Sequence, residues 1–257
     1  MLSLIMLLVI GLAVGAGAAH LAEAILAQRS LVMPRCPYCQ TEYSVWQWSA
    51  TLALLSGHWR CAACGKPSRG ARLAGELLLA LSWAGLVGWH GLTLRVALAM
   101  LASLPLVMVL VTDLETKLIP NRIILPSLGV MLALGMLFGP AVPGIGDWRW
   151  WDVLLGSGIG FAFFWILVII GVALLGEGAL GGGDVKLAAY LGAVVGWPLI
   201  IVALLLAFVL GGVGAFAVLL SRRGSLRTAI PYGPYLVLGG LIVLLYGVEI
   251  VRWYLLT

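Results

Sequence analysis

The sequence predicts an all-α polytopic membrane protein of about eight transmembrane helices with a small cytoplasmic zinc-ribbon-like loop, and three observations carry that prediction. First, 63% of the 257 residues are hydrophobic and only 10% are charged, with a mean hydropathy of +1.12. A soluble domain carries roughly 25% charged residues, so a chain this poor in charge must meet lipid over most of its surface. Second, eight apolar runs, near 2–27, 73–89, 92–112, 123–139, 152–175, 185–200, 201–220 and 233–254, are candidates to cross a bilayer. Third, all four cysteines fall between the first two runs.

Taken in order, the run 2–27 contains the small-residue stretch Ala16-Gly17-Ala18-Ala19, as a cleaved signal peptide would, but no Lys or Arg precedes it. It is therefore expected to persist as a helix. The runs 185–200 and 201–220 are the least separable, because only Trp197-Pro198 punctuates them.

Basic residues set the orientation. If the 28–72 loop is cytoplasmic, alternation brings 113–122, 176–186 and 221–231 to the same side. Those segments hold Arg29, Arg35, Arg60, Lys66, Arg69, Arg72, Lys117, Arg122, Lys186, Arg222, Arg223 and Arg227. The other face keeps Arg95, Arg149 and Arg252, a bias of 12 to 3 of the kind that orients inner-membrane proteins. Trp89, Trp148, Trp150, Trp151, Trp197 and Trp253 fall at the opposite ends of the runs, as an interfacial belt. The formal charge of +5 therefore reflects topology, and no nucleic-acid partner is expected.

The cysteines form two C-x-x-C pairs, Cys36-Pro-Tyr-Cys39 and Cys61-Ala-Ala-Cys64. This spacing matches a zinc ribbon in which four thiolates close a tetrahedral, structural metal site. A cytoplasmic location argues against disulfides; redox-active pairs or unliganded thiols are the alternative. The stretch Tyr43–Leu55 between the pairs is apolar but too short to span. It lies either along the membrane interface or within the ribbon's own packing.

Carboxylates bordering membrane segments are costly and hence functional candidates. Asp184 follows Gly181, Gly182 and Gly183 at the start of an apolar run. The glycines free the backbone and allow a second chain to approach closely, although a plain loop with Asp184 as helix cap fits equally well. Asp113 ends the third run, ahead of Pro120; alone it reads as a solvated helix end. Alternation puts both aspartates on one side. Two close carboxylates share a proton, so that one can act as base and the other as acid.

Four motifs together carry a resemblance. Gly181-Gly-Gly-Asp184-Val-Lys186 through Gly192 resembles the GxGD segment of the type IV prepilin peptidases. Asp113 with Ile119-Pro120 and Leu125-Pro126 resembles that family's first aspartate segment, and Ile230-Pro231-Tyr-Gly233-Pro234-Tyr-Leu236 its third signature. The paired C-x-x-C loop is similar to its cytoplasmic zinc domain. The resemblance covers about Cys36 to Leu236 and implies Asp113 and Asp184 as the catalytic pair. Gly181, Gly182, Gly183, Lys186, Pro120, Pro231, Gly233 and Pro234 would support them, with zinc on Cys36, Cys39, Cys61 and Cys64. It further implies a multi-pass protease of the bacterial inner membrane that removes the basic leader of prepilins or pseudopilins after a glycine, at the cytoplasmic face. The implied domain plan is 1–27 as first helix, 28–72 as cysteine loop and 73–257 as protease.

Many members of that family also methylate the new N-terminus with S-adenosylmethionine. Here the sequence departs: His20-Leu-Ala-Glu-Ala-Ile-Leu-Ala-Gln28 stands where members carry an Asn-rich, arginine-containing segment, the "NIP" segment between the cysteine pairs is missing, and Glu76 lacks the usual preceding proline. Methylation is left open. The rival readings are a preflagellin-peptidase-like GxGD protease and a non-catalytic transporter or scaffold, which would favour carboxylates at the bilayer midplane. No Ser/His/Asp arrangement or H-E-x-x-H motif occurs, and His20, His58 and His90 read as satisfied polar groups.

Overall fold

The structure, a computed structural model, describes residues 2–27, 34–175, 181–220 and 231–256. Arg29, Glu177, Gly178, Arg222, Arg223, Arg227 and Ile230 lie outside these residues.

All eight expected runs are helices: α1 (Leu2–Leu26), α3 (Gly70–His90), α4 (Leu94–Thr116), α5 (Asn121–Phe138), α6 (Trp150–Leu175), α7 (Gly182–Val195), α8 (Leu199–Leu220) and α9 (Gly233–Leu256). A ninth, α2 (Ala50–Leu55), is one and a half turns inside the cysteine loop. Among the described residues, seven are long and apolar enough to cross a membrane. The eighth, α7, has 14 residues, about 21 Å, which falls short of the hydrocarbon thickness. It needs no lipid match, because every residue from Leu187 to Val195 is buried within the protein.

Contacts between helix ends define two faces. At one face stand the end of α1, the cysteine loop and the starts of α3, α5, α7 and α9, tied by His20 to the Trp48 carbonyl, Arg69 to Glu115 and Lys186 to Asn121. At the other, Trp197 N–H donates to the Asp152 carbonyl and Ala141 N–H to the Val194 carbonyl, while His90 Nε2 lies 2.9 Å from the Leu245 carbonyl. The up-and-down alternation drawn from the basic residues is thus the alternation of the fold. Three helices stop at the second face on a left-handed glycine, Gly91, Gly139 and Gly196, with φ of 70, 87 and 72°, the residue type that pays no Cβ penalty there.

Small residues set the closest helix pair. A Cβ on Gly192 of α7 would stand 2.0 Å from the Gly156 carbonyl oxygen of α6, and one on Gly160 2.3 Å from that of Ala188. In lipid, where water supplies no drive for helices to associate, such backbone approach is a main source of attraction. Gly239 and Gly240 serve the same end against Ala203 and Leu191, whereas Gly211 makes room for the Tyr232 ring and Gly212 meets nothing within 4 Å. The buried core runs along α4, α7 and α9, and the paired aspartates sit at its end.

Candidate active site and cysteine centre

Asp113 lies in the last turn of α4, 4% exposed, and Asp184 in the first turn of α7, 9% exposed. The two are near enough for their charges to interact. Each carboxylate has a glycine backbone beside it: Gly181, just before α7, accepts the Asp184 N–H at its carbonyl (3.1 Å) and lies against the Asp184 carboxylate, and Gly233 faces Asp113 from the first residue of α9. A Cβ on Gly233 would stand 2.5 Å from Asp113 Oδ2. Among the described residues Oδ2 has no hydrogen-bond partner although it is buried, which leaves an acceptor, or a proton, to be shared with whatever enters.

The three glycines before Asp184 divide their work. Gly181 backs the Asp184 carboxylate, with 3.4 Å between an added Cβ and Oδ2. Gly183 lets α7 close on the loop between α4 and α5, since a Cβ there would meet Ile119 Cβ at 2.9 Å. Gly182 has nothing within 4 Å. What approaches the glycines is thus a side chain of the 117–120 loop. Lys117 ends α4 in the left-handed conformation and Pro120 caps the start of α5. Lys186 Nζ donates to Asn121 Oδ1 at 2.7 Å, joining α7 to α5 beside the pair. Pro231 and Pro234 bracket Tyr232 and Gly233 at the start of α9, with Pro234 in the first turn, where a missing N–H costs nothing.

Tyr232 belongs to this site as well, although in the sequence nothing but its place between Pro231 and Gly233 marks it. Its ring packs on Phe164 and Phe208, at 5.7 and 6.0 Å between centroids. Its hydroxyl is buried without a partner among the described residues and lies within electrostatic range of Asp184.

The cysteine loop folds as two matching knuckles. In the first, Cys36 N–H bonds the Thr41 carbonyl and Gln40 N–H the Cys36 carbonyl; in the second, Cys61 N–H bonds the Lys66 carbonyl and Gly65 N–H the Cys61 carbonyl. Each turns through a left-handed residue, Gln40 (φ 63°) and Gly65 (φ 70°). The four Sγ atoms lie within 4.8 Å of one another, with Cys36–Cys64 at 3.7 Å and Cys39–Cys61 at 3.6 Å. A tetrahedral metal with bonds of about 2.3 Å to sulfur needs edges of about 3.8 Å, so the donor set fits. Thr41, through its side chain and backbone, holds the Cys39 thiol down to about 6, whereas at Cys64 a Lys66 backbone hydrogen bond is outweighed by burial and the neighbouring thiols, which push it up to about 11; a metal would take the remaining thiols as thiolates by displacing their protons.

Glu76, singled out for its resemblance to a family glutamate, is fully buried and capping. Its carboxylate accepts from Ser49 Oγ (2.7 Å), Ala50 N (2.7 Å), Thr51 N (2.9 Å) and Thr51 Oγ1 (2.8 Å), neutralising the free amides at the start of α2. Arg72, also fully buried, lies 3.7 Å from Glu23, donates to the Trp48 carbonyl and reaches His20 Nε2 at 2.7 Å. His20, Glu23 and Arg72 therefore bind α1, α3 and the loop to one another. His58 contacts Ser56, so all three histidines are hydrogen-bonded.

Comparison with known proteins decides the family. The model of the type IV leader peptidase family matches residues 100–216, which contain both aspartates. The prepilin leader peptidase/N-methyltransferase of Aeromonas hydrophila is 34% identical over 88% of this chain and 76% of its own length. The chain belongs to the type IV leader peptidase family. Proteins of the same name from Pseudomonas aeruginosa, 31% identical over 89% of this chain and 77% of their own, and Bacillus subtilis, 30% identical over 88% and 87%, agree. No solved structure gives a significant match. This family member is accordingly a multi-pass membrane peptidase rather than a transporter or scaffold, with a four-thiol cluster able to hold a metal ion.

Proposed function

We propose that this chain is an intramembrane aspartic endopeptidase that removes the basic leader from type IV prepilins or pseudopilins, after a glycine and at the cytoplasmic face of the bacterial inner membrane. The observation that carries the reading is the buried pair of Asp113 and Asp184, near enough for their charges to interact and each with a glycine beside it. One carboxylate, ionised, takes a proton from a water molecule as it attacks the scissile carbonyl. The other, protonated, donates to the carbonyl oxygen, and the proton held by the base passes to the leaving amine as the peptide bond breaks. The Tyr232 hydroxyl is a further donor beside the pair.

Three lines support the substrate and the side. The relatives carry prepilin in their names. The pair stands at the face that gathers 12 of the 15 basic residues in the alternation, the cytoplasmic one by the positive-inside rule. A helix end in lipid suits a substrate whose cleavage site immediately precedes an apolar helix. In this reading 1–27 is the first span, 28–72 the cytoplasmic metal loop and 73–257 the protease. Zinc is the metal that four thiolates select; with no open position it supports the loop and takes no part in proteolysis. Methyl transfer from S-adenosylmethionine to the new N-terminus rests on the N-methyltransferase in the relatives' names alone, and Glu76, which resembles a family glutamate without its preceding proline, is fully engaged as a cap.

The test is cleavage of a prepilin-like peptide by purified Asp113→Asn and Asp184→Asn in detergent or vesicles. Each is expected to lose at least about a hundredfold in kcat, the order of a lost acid–base group, with metal content unchanged. Retention of more than about a tenth of the wild-type rate would remove that aspartate from the mechanism.

A further inference from the structure

Between Glu42 and Arg60 the chain carries no Asp, Glu, Lys or Arg. Within that stretch Val45, Trp46, Trp48, Leu52, Leu54 and Leu55 are all exposed, Leu55 to 79%. On α2 itself Ala50 and Ala53 face the protein while the three leucines face away. A helix of six residues has no stability of its own in water, and an apolar face of this size on a water-exposed loop would be a liability.

Two spanning helices report the depth at which this stretch sits. The Trp48 carbonyl lies 2.6 Å from His20 Nε2, and His20 is six residues before the end of α1 at Leu26. The α2 amides of Ala50 and Thr51 bond Glu76, which is six residues inside α3 from its start at Gly70. Six residues rise about 9 Å, so two independent anchors agree. Nor does α3 have a spare turn to lift Glu76 clear of the membrane: its 21 residues make about 32 Å, close to the hydrocarbon thickness itself.

We infer that residues 45–55 form an interfacial foot whose apolar side lies against the acyl chains of the leaflet, so that the partner of this surface is phospholipid. An amphipathic segment in a lipid interface buries its apolar face about 5–10 Å into the headgroup–acyl boundary, the depth that His20 and Glu76 impose. Because α2 is bonded directly to Glu76 of α3, a helix long and apolar enough to cross the bilayer, lipid rather than a second protein is the occupant. The foot holds the second knuckle, tied to it by Gln47 Nε2 donating to the His58 and Arg60 carbonyls, down onto the membrane, and the first knuckle follows through the shared thiol cluster.

The experiment uses the full chain in phosphatidylcholine–phosphatidylglycerol vesicles, with p-benzoylphenylalanine replacing Leu52, Leu55, Glu42 or, as a lipid-facing reference on α8, Leu205, which is 61% exposed. After irradiation, adduct masses are read by mass spectrometry on protein that retains its metal; a Leu54 variant replaces either loop leucine if that one does not. Lipid adducts at Leu52 and Leu55 within about threefold of Leu205, and at least about tenfold above Glu42, are expected for an interfacial segment. Adducts to the same chain, to a second copy or to no lipid at the two leucines, while Leu205 labels lipid, would overturn the inference.

Discussion

Gly233 stands against Asp113 so closely that a methyl group on it would lie 2.5 Å from the carboxylate Oδ2 and 3.0 Å from Cγ. The start of α9 and the end of α4 therefore meet at the reacting group with no side chain between them. Gly233→Ala must push either the helix or the carboxylate aside. A displacement of that order costs about a hundredfold in rate when it misplaces a reacting group. We expect kcat to fall by about that factor with thermal stability nearly unchanged; cleavage kinetics beside a melting curve would check it, and wild-type turnover would show that the contact yields cheaply.

Tyr232→Phe removes one oxygen and keeps the ring that packs on Phe164 and Phe208. If the hydroxyl donates to developing charge beside Asp184, kcat should drop by about ten- to a hundredfold at constant KM, somewhat less than for a dedicated oxyanion donor. An equal rise in KM alone would mean that the phenol only binds substrate.

Glu76→Gln turns one acceptor oxygen into an N–H₂ that faces donors. Four hydrogen bonds converge on that carboxylate, and at least one buried donor is left unsatisfied, a loss of about 1–3 kcal/mol. The expected result is a lower melting temperature and faster proteolysis within the cysteine loop, both read on purified protein. Unaltered stability would mean the cap is not needed to hold α2.

Purified protein should carry one zinc per chain, and Cys61→Ser should lose it. Because four thiolates leave no open coordination position, the variant is expected to lose stability first and activity only in proportion to unfolding. Elemental analysis with a thermal melt checks this. Normal folding together with abolished cleavage would give the metal centre a direct part.

What the sequence determined by itself was everything that repeats locally or needs a fixed chemistry. Eight apolar runs, the bias of Arg and Lys between alternate loops and two C-x-x-C pairs are readable because hydrocarbon thickness, membrane orientation and thiolate coordination each impose a length, a count or a spacing. Asp113 and Asp184 were readable as a pair because alternation alone carries both to one face. The tertiary structure decided what depends on partners remote in the chain. It made α7 a short helix sheathed in protein, where lipid thickness sets no minimum. It turned Glu76 into the cap of a helix 26 residues earlier, and buried Arg72 between His20 and Glu23. It brought Tyr232 to Asp184 across 48 residues, and it set Gly233 against Asp113 across 120. None of these leaves a period or spacing in the sequence, because each is fixed by which helix faces pack together, and that depends on the close approach of small residues such as Gly156 and Gly192.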